Sequence, residues 1–204
     1  MARLLLVRHG ETEFNSVGRI QGHTDIDLSH KGRHQVELLA DYLADEPIDV
    51  IYSSDLRRAA RSAEIIAAPH RKSIIKRPEL REINYGKIQG LTLPEVEKQF
   101  PDVAKLWFTR PLSLQFPGGE SVDQLRARVA RFLSELKPEP EQTVLIVAHG
   151  GPLRFAICTL TGFDARHWQQ LQLDPASLSI VTIFPETTML TRLNDTSHLK
   201  ERKK

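Results

Sequence analysis

Leu4-Leu5-Leu6-Val7-Arg8-His9-Gly10-Glu11-Thr12 is the stretch whose reading decides the fold of this chain. Four apolar residues, enough for a short strand, stop at an Arg-His pair, and glycine follows. Residues that end such a strand stand at the carboxyl edge of a sheet, where open α/β folds place their chemistry. A second run has the same form: Val144-Leu145-Ile146-Val147-Ala148-His149-Gly150-Gly151. Two strands that each end in His-Gly point to one site built around two histidines.

Working outward, further strand-length apolar runs occur at 50–52, 73–76, 179–184 and 189–193. Helical patterns lie between the first several, and strand-helix alternation is the mark of an α/β sheet. Ser29 is placed to cap a helix whose apolar face includes Val36, Leu39, Tyr42 and Leu43. Asp55 is expected to cap the next helix, over 56–68, which Pro69 stops. Gly150-Gly151-Pro152 opens a helix that runs through Thr161, with Gly162 as its C′ residue.

The middle of the chain breaks this alternation. From 86 to 140 there is no good strand, but Thr92-Leu93-Pro94-Glu95 and Ser121-Val122-Asp123-Gln124 read as capping boxes. Leu125, Val129, Phe132 and Leu136 follow the second box along one helical face. Inserted between sheet elements, residues 86–140 are expected to cover the active edge as a helical cap.

Composition narrows the function. The 204 residues suffice for one substantial domain, and 40% apolar with 26% charged residues describes a soluble globular protein. A net charge of +2 from scattered Arg and Lys leaves no basic stripe for nucleic acid. Cys158 is the single cysteine, so no intrachain disulfide forms, and a reducing cytoplasm is the expected compartment. The opening strand is too short for a signal sequence, and no apolar run approaches the ~20 residues of a membrane helix. Residues 200–204, Lys-Glu-Arg-Lys-Lys, are expected to form a solvated tail.

His9 is either a satisfied histidine at a strand end or a nucleophile whose neutral imidazole attacks phosphorus. Arg8 beside it favours the second, because a permanently charged fork binds a phosphoryl group bidentately. Asn15 adds a neutral donor from the following loop. In Ser53-Ser54-Asp55-Leu56-Arg57-Arg58, after the second strand, one arginine can turn back to the site while the other faces water. Glu82, in Leu80-Arg81-Glu82-Ile83-Asn84-Tyr85-Gly86, is the candidate acid. His30 and His34 have the i,i+4 spacing of metal ligands but no carboxylate or cysteine set around them, so they read as surface histidines, and no metal site is expected. A GxxxxGK[ST] loop is missing, which excludes a P-loop nucleotide triphosphatase.

LVRHGET, SSDLRRAARSAE, LREINYG, PGGES and VAHGGPLR, in that order, resemble the histidine phosphatase superfamily in its phosphoglycerate-mutase-like branch, over residues 2–199. The resemblance implies an α/β fold: a three-layer α/β/α sandwich with a mostly parallel central sheet and the inserted cap, as one domain over 1–204. It implies a phosphomonoester hydrolase that needs neither metal nor other cofactor and acts on a small-molecule phosphate. Among similar small cytosolic phosphatases are those for α-ribazole 5′-phosphate, the best guess here together with broad specificity, and phosphoserine-directed members. His9 would take the phosphoryl group; Arg8, Arg58 (rather than Arg57) and His149 would hold its oxygens. Glu82 would protonate the leaving alcohol and then assist water. Asn15, Gln21 and the backbone at Gly150 would contact phosphate or substrate.

Cap residues Tyr85, Trp107, Phe108, Arg110, Glu120 and the turn 116–119 are where specificity is expected, with Tyr85, Arg110 and Glu120 as substrate contacts; the alternative is a surface ion pair for Arg110 and Glu120, and packing of the cap for Trp107 and Phe108. Members are often dimers, so a homodimer is an expectation of the resemblance. Two departures stand out: Ile88-Gln89-Gly90 replaces an aromatic-Glu-Gly, and Ser62 replaces a common threonine. The first alters the wall near Glu82. The competing readings are a phosphoglycerate mutase and a non-catalytic phosphate-binding module. Mutases of this branch carry a longer cap and tail, so the short stretch after Leu199 is expected to favour hydrolysis.

Overall fold

Successive side chains of a strand point to opposite faces, and in β1 (Ala2–Arg8) both faces are apolar. Leu4 and Leu6 enter one core and Leu5 and Val7 another, so β1 is sandwiched. In the computed structural model, which describes residues 1–109 and 111–200, it lies inside a six-stranded sheet. The remaining strands are β2 (Val50–Ser53), β3 (Ile74–Lys76), β4 (Thr143–Ala148), β5 (Leu178–Ile183) and β6 (Thr188–Asp195). The helices are α1 (Glu13–Ser16), α2 (His30–Tyr42), α3 (Arg57–Ala67), α4 (Leu93–Gln99), α5 (Pro101–Lys105), α6 (Val122–Glu135) and α7 (Gly150–Thr161).

The sheet order is β3-β2-β4-β1-β5-β6. Pairing is parallel from β3 through β1, and antiparallel at β1–β5 and β5–β6. Helices α2 and α3 cover the face of Leu5 and Val7, and α6 and α7 the face of Leu4 and Leu6. This is the expected α/β/α layering. Insertion of β4 between β1 and β2 makes a crossover at the carboxyl ends of the strands, the position that leaves a crevice for ligand. The β1–β4 register pairs Arg8 with Ala148, so the next residues, His9 and His149, are neighbours.

Local signals set most helix ends. Ser29 accepts from the Gly32 N–H, both capping boxes form, and Gly162 ends α7 in the left-handed region at φ 72°. Asp55 does not cap α3. Its carboxylate is drawn into a two-pronged ion pair with Arg81, and Asp25, from a distant loop, accepts the Arg57 N–H at 2.7 Å instead. Tyr42, expected on the apolar face of α2, is exposed, while Val36, Leu39 and Leu43 are buried.

The inserted segment divides into two parts. Leu125, Val129 and Phe132 of α6 join Leu6, Val144 and Ile146 in one core, so α6 is a layer of the sandwich rather than a cover. Before it, Gly90 and Leu91 pair with Ile20 of the loop after β1, and Trp107 reaches the site. No helix among the described residues is long and apolar enough to cross a membrane.

Candidate active site

At the carboxyl edge of β1 and β4 lies a cavity of about 290 Å³. Arg8, His9, Asn15, Gln21, Arg58, Glu82, Tyr85 and Gly150 line it, which brings together residues from five separate stretches of sequence.

His9 is buried, and its Nδ1 lies 2.7 Å from the Gly10 carbonyl. A carbonyl only accepts, so Nδ1 carries the hydrogen and Nε2 keeps a free lone pair. Burial, then the charges of Arg58 and Arg8, hold the imidazole well below its ordinary pKa, outweighing the Gly10 bond. The ring is therefore a neutral base at physiological pH. Ser62 fixes its setting: the hydroxyl accepts from the Gly10 N–H and donates to the Arg58 carbonyl.

Arg58 is wholly buried, whereas Arg57 is exposed and pairs with Asp25. The helical period turns only one of two adjacent arginines inward. The Arg58 guanidinium donates to the Gly22 and Thr24 carbonyls, at 2.7 and 2.9 Å, and its Nε donates to His149 Nδ1 at 3.2 Å. Burial pushes it down to about 10, so it remains a cation at neutral pH. Arg8 spends Nη1 on the Leu173 carbonyl, but its buried Nε has no partner among the described residues. A buried guanidinium N–H left open is a costly donor that an anion would satisfy.

His149 takes its tautomer from Arg58. A guanidinium only donates, so Nδ1 accepts and Nε2–H donates to Ser54 Oγ at 2.9 Å. Burial and the Arg58 charge keep this ring neutral too. Its centroid is 5.0 Å from that of His9, edge to face, but it does not line the cavity. Beside the role toward phosphoryl oxygens that the resemblance implies, this bond makes the ring a support for Arg58.

Glu82 lies in irregular chain and accepts from the Ile83 N–H and from the Gly151 N–H at the start of α7. Asn15 lends its carbonyl to the capping box of α1. Gln21 is buried, with Oε1 unpartnered among the described residues. Tyr85 packs edge-on against Phe116 and tilted against Trp107, which also reaches the cavity, whereas Phe108 is 79% exposed. Arg110 lies outside the described residues.

Glu120 does not line the cavity. Its two oxygens pair with Arg128 of α6 and accept the Asn84 N–H. Burial pushes the Glu120 carboxyl up, but donation by Arg128 and its charge outweigh this and hold it below the ordinary value. Of the two expectations for Glu120, a substrate contact or an ion pair, the structure shows the ion pair, with a half-buried cation eight residues on.

Arg19 and Arg154 also line the cavity, and no sequence reading picked them out. Arg19 donates to the Gly90 carbonyl and pairs with Glu95. Arg154 donates Nε to the Leu171 carbonyl at 2.6 Å. A signal for it existed: Arg154 is the single charge in the otherwise apolar or small α7.

Residues 4–196 match the family model of the histidine phosphatase superfamily, branch 1. The chain belongs to this superfamily. It is a phosphatase, similar over 98% of its length, at 39% identity, to phosphoserine phosphatase 1 of Hydrogenobacter thermophilus, of which it covers 96%. Among solved structures, a phosphoserine phosphatase mutant of Entamoeba histolytica in complex with phosphoserine superposes with a TM-score of 0.86 at 30% identity, covering 98% of this chain and 100% of that one. The α-ribazole phosphatase of Shigella flexneri does so with a TM-score of 0.85 at 28% identity, covering 95% and 96%. The histidine phosphatase fold thus brings Arg8, His9, Arg58 and Glu82 to one cavity in this chain.

Proposed function

We propose that this phosphatase hydrolyses a small phosphomonoester through a phosphohistidine on His9, without a metal ion. The observation that carries this reading is the free Nε2 of a neutral, buried His9 beside the buried Arg58 and the half-buried Arg8, in a cavity that also holds Glu82. Nε2 attacks phosphorus as the P–O bond to the leaving alcohol breaks. Arg8, through its open Nε, and Arg58 stabilise the oxygens, and His149 holds Arg58 in place. Glu82 gives its proton to the departing oxygen. Water then attacks the phosphohistidine, Glu82 takes the proton, the P–N bond breaks and inorganic phosphate leaves.

For the substrate, phosphoserine leads. It is named for the relative at 39% identity, and the lining by Arg19 and Arg154 suits a substrate with a carboxylate besides its phosphate. α-Ribazole 5′-phosphate is the second candidate, from the neighbour at 28% identity. We expect the enzyme to act as a cytoplasmic protein and to need no macromolecular partner for turnover.

The test is phosphate release from phosphoserine, α-ribazole 5′-phosphate, 3-phosphoglycerate and p-nitrophenyl phosphate with EDTA present. The expected result is hydrolysis that His9→Ala abolishes, with phosphoserine preferred. Activity in His9→Ala would sink the covalent route. Interconversion of 3-phosphoglycerate with little free phosphate would make the chain a mutase.

A further inference from the structure

Glu82 sits between two short 3₁₀ turns, Pro78–Leu80 and Gly86–Ile88, in a stretch with no strand or helix to hold it. A general acid must nevertheless be placed to within a fraction of an ångström, and something else in the fold has to supply that order.

The structure points to a clamp. Arg128, on α6, reaches the stretch with two of its guanidinium nitrogens. Nη1 donates to the Glu79 carbonyl at 2.7 Å, and Nη2 to the Glu82 carbonyl at 2.8 Å. Nε and Nη2 also grip the Glu120 carboxylate, at 2.8 and 3.0 Å. Glu120 in turn accepts the Asn84 N–H on Oε2 at 2.8 Å, while its own N–H donates to the Asn84 carbonyl, also at 2.8 Å. His23 also donates Nε2–H to the Glu82 carbonyl, at 2.8 Å. The main chain is therefore held at residues 79, 82 and 84, with two donors on the carbonyl of Glu82 itself. The side chains of Arg128 and Glu120 are 15% and 22% exposed, and neither lines the cavity.

We propose that Glu120 and Arg128 are positioning residues that fix the general acid Glu82, and that they serve protonation of the leaving group rather than phosphate binding. The inference rests on the reading of Glu82 given above. A planar fork is needed because four acceptors are served at once, which an ammonium group cannot match in geometry.

The leaving group provides the test. Nitrophenolate departs without a proton, whereas an alkoxide needs one. Because Glu82 also serves the water step, the readout is kcat/KM, which ends at loss of the leaving group; in Arg128→Lys and Glu120→Gln it is expected to fall with phosphoserine by about 10–10²-fold, the scale of a misplacement near 1 Å. With p-nitrophenyl phosphate the loss is expected to stay within about threefold, and inhibition by inorganic phosphate to be unchanged, because Arg8 and Arg58 are untouched. Thermal melts confirm that the variants fold; should Arg128→Lys not fold, the isosteric Glu120→Gln carries the test. Equal losses on both substrates, or none on either, overturn the clamp. Glu82→Gln is measured beside them. If it shows the leaving-group bias and the clamp variants do not, the clamp alone fails; if it shows no bias, the reading of Glu82 fails and the clamp with it.

Discussion

Gly151→Ala should disable this enzyme without unfolding it. Gly151 is the second residue of α7, and its N–H donates to both oxygens of Glu82, at 3.2 and 3.3 Å. A Cβ at this position would lie 2.3 Å from Glu82 Oε1 and 3.0 Å from Leu125 Cδ2. A methyl carbon and a carboxylate oxygen settle at roughly 3.3 Å, so the carboxylate must withdraw by about 1 Å. Displacement on that scale costs about 10²-fold in rate. Helix propensity works the other way, since alanine is favoured over glycine by at most about 1 kcal/mol, enough to offset the tight contact with Leu125. The expected outcome is a kcat with phosphoserine reduced about 10²-fold and a melting temperature within a few degrees of the parent. Steady-state kinetics and calorimetry measure both. A folded variant that keeps kcat within about threefold would show that Glu82 need not stand where α7 holds it.

Other outcomes follow from the same geometry. His9 and His149 are neutral in the fold but protonate below the ordinary value of 6.5 once unfolded, so stability should fall as pH drops from 6.5 toward their much lower folded values. Each contributes a slope of up to about 1.4 kcal/mol per pH unit, and urea unfolding at pH 7 and 5.5 should show it, with the slope flattened in His9→Gln. An identical stability at both pH values would contradict the buried neutral pair. Arg57→Ala should leave kcat/KM near that of the parent, because its exposed pair with Asp25 is worth little, whereas Arg58→Ala should lose activity and stability together. Burial pushes the Cys158 thiol up to about 11, so a disulfide reagent at pH 8 should label it only after denaturation, and Cys158→Ala should stay active.

Much of the fold was legible in the sequence because it rests on short-range rules. The capping boxes at Thr92 and Ser121 join residues three apart, and both form. Strands buried on both faces read as continuous apolar runs, and each expected run is a strand. Asp55 shows where such rules end: a residue well suited to cap α3 is taken by Arg81, which is 26 residues away. Glu120 shows it again, since nothing in Pro117-Gly118-Gly119-Glu120 tells of Arg128 on the next helix or of the Asn84 N–H.

The sequence by itself determined the α/β class, the His-Gly strand ends and, through its ordered motifs, the superfamily. Tertiary structure alone decided the strand order, the tautomers of both histidines and the presence of Arg19 and Arg154 at the cavity. These depend on contacts such as Arg58 with His149, 91 residues apart, or Arg128 with the Glu82 carbonyl, 46 apart. Local propensity encodes which element a segment forms, whereas a proton on one nitrogen of His149 depends on which cation the fold packs against the other.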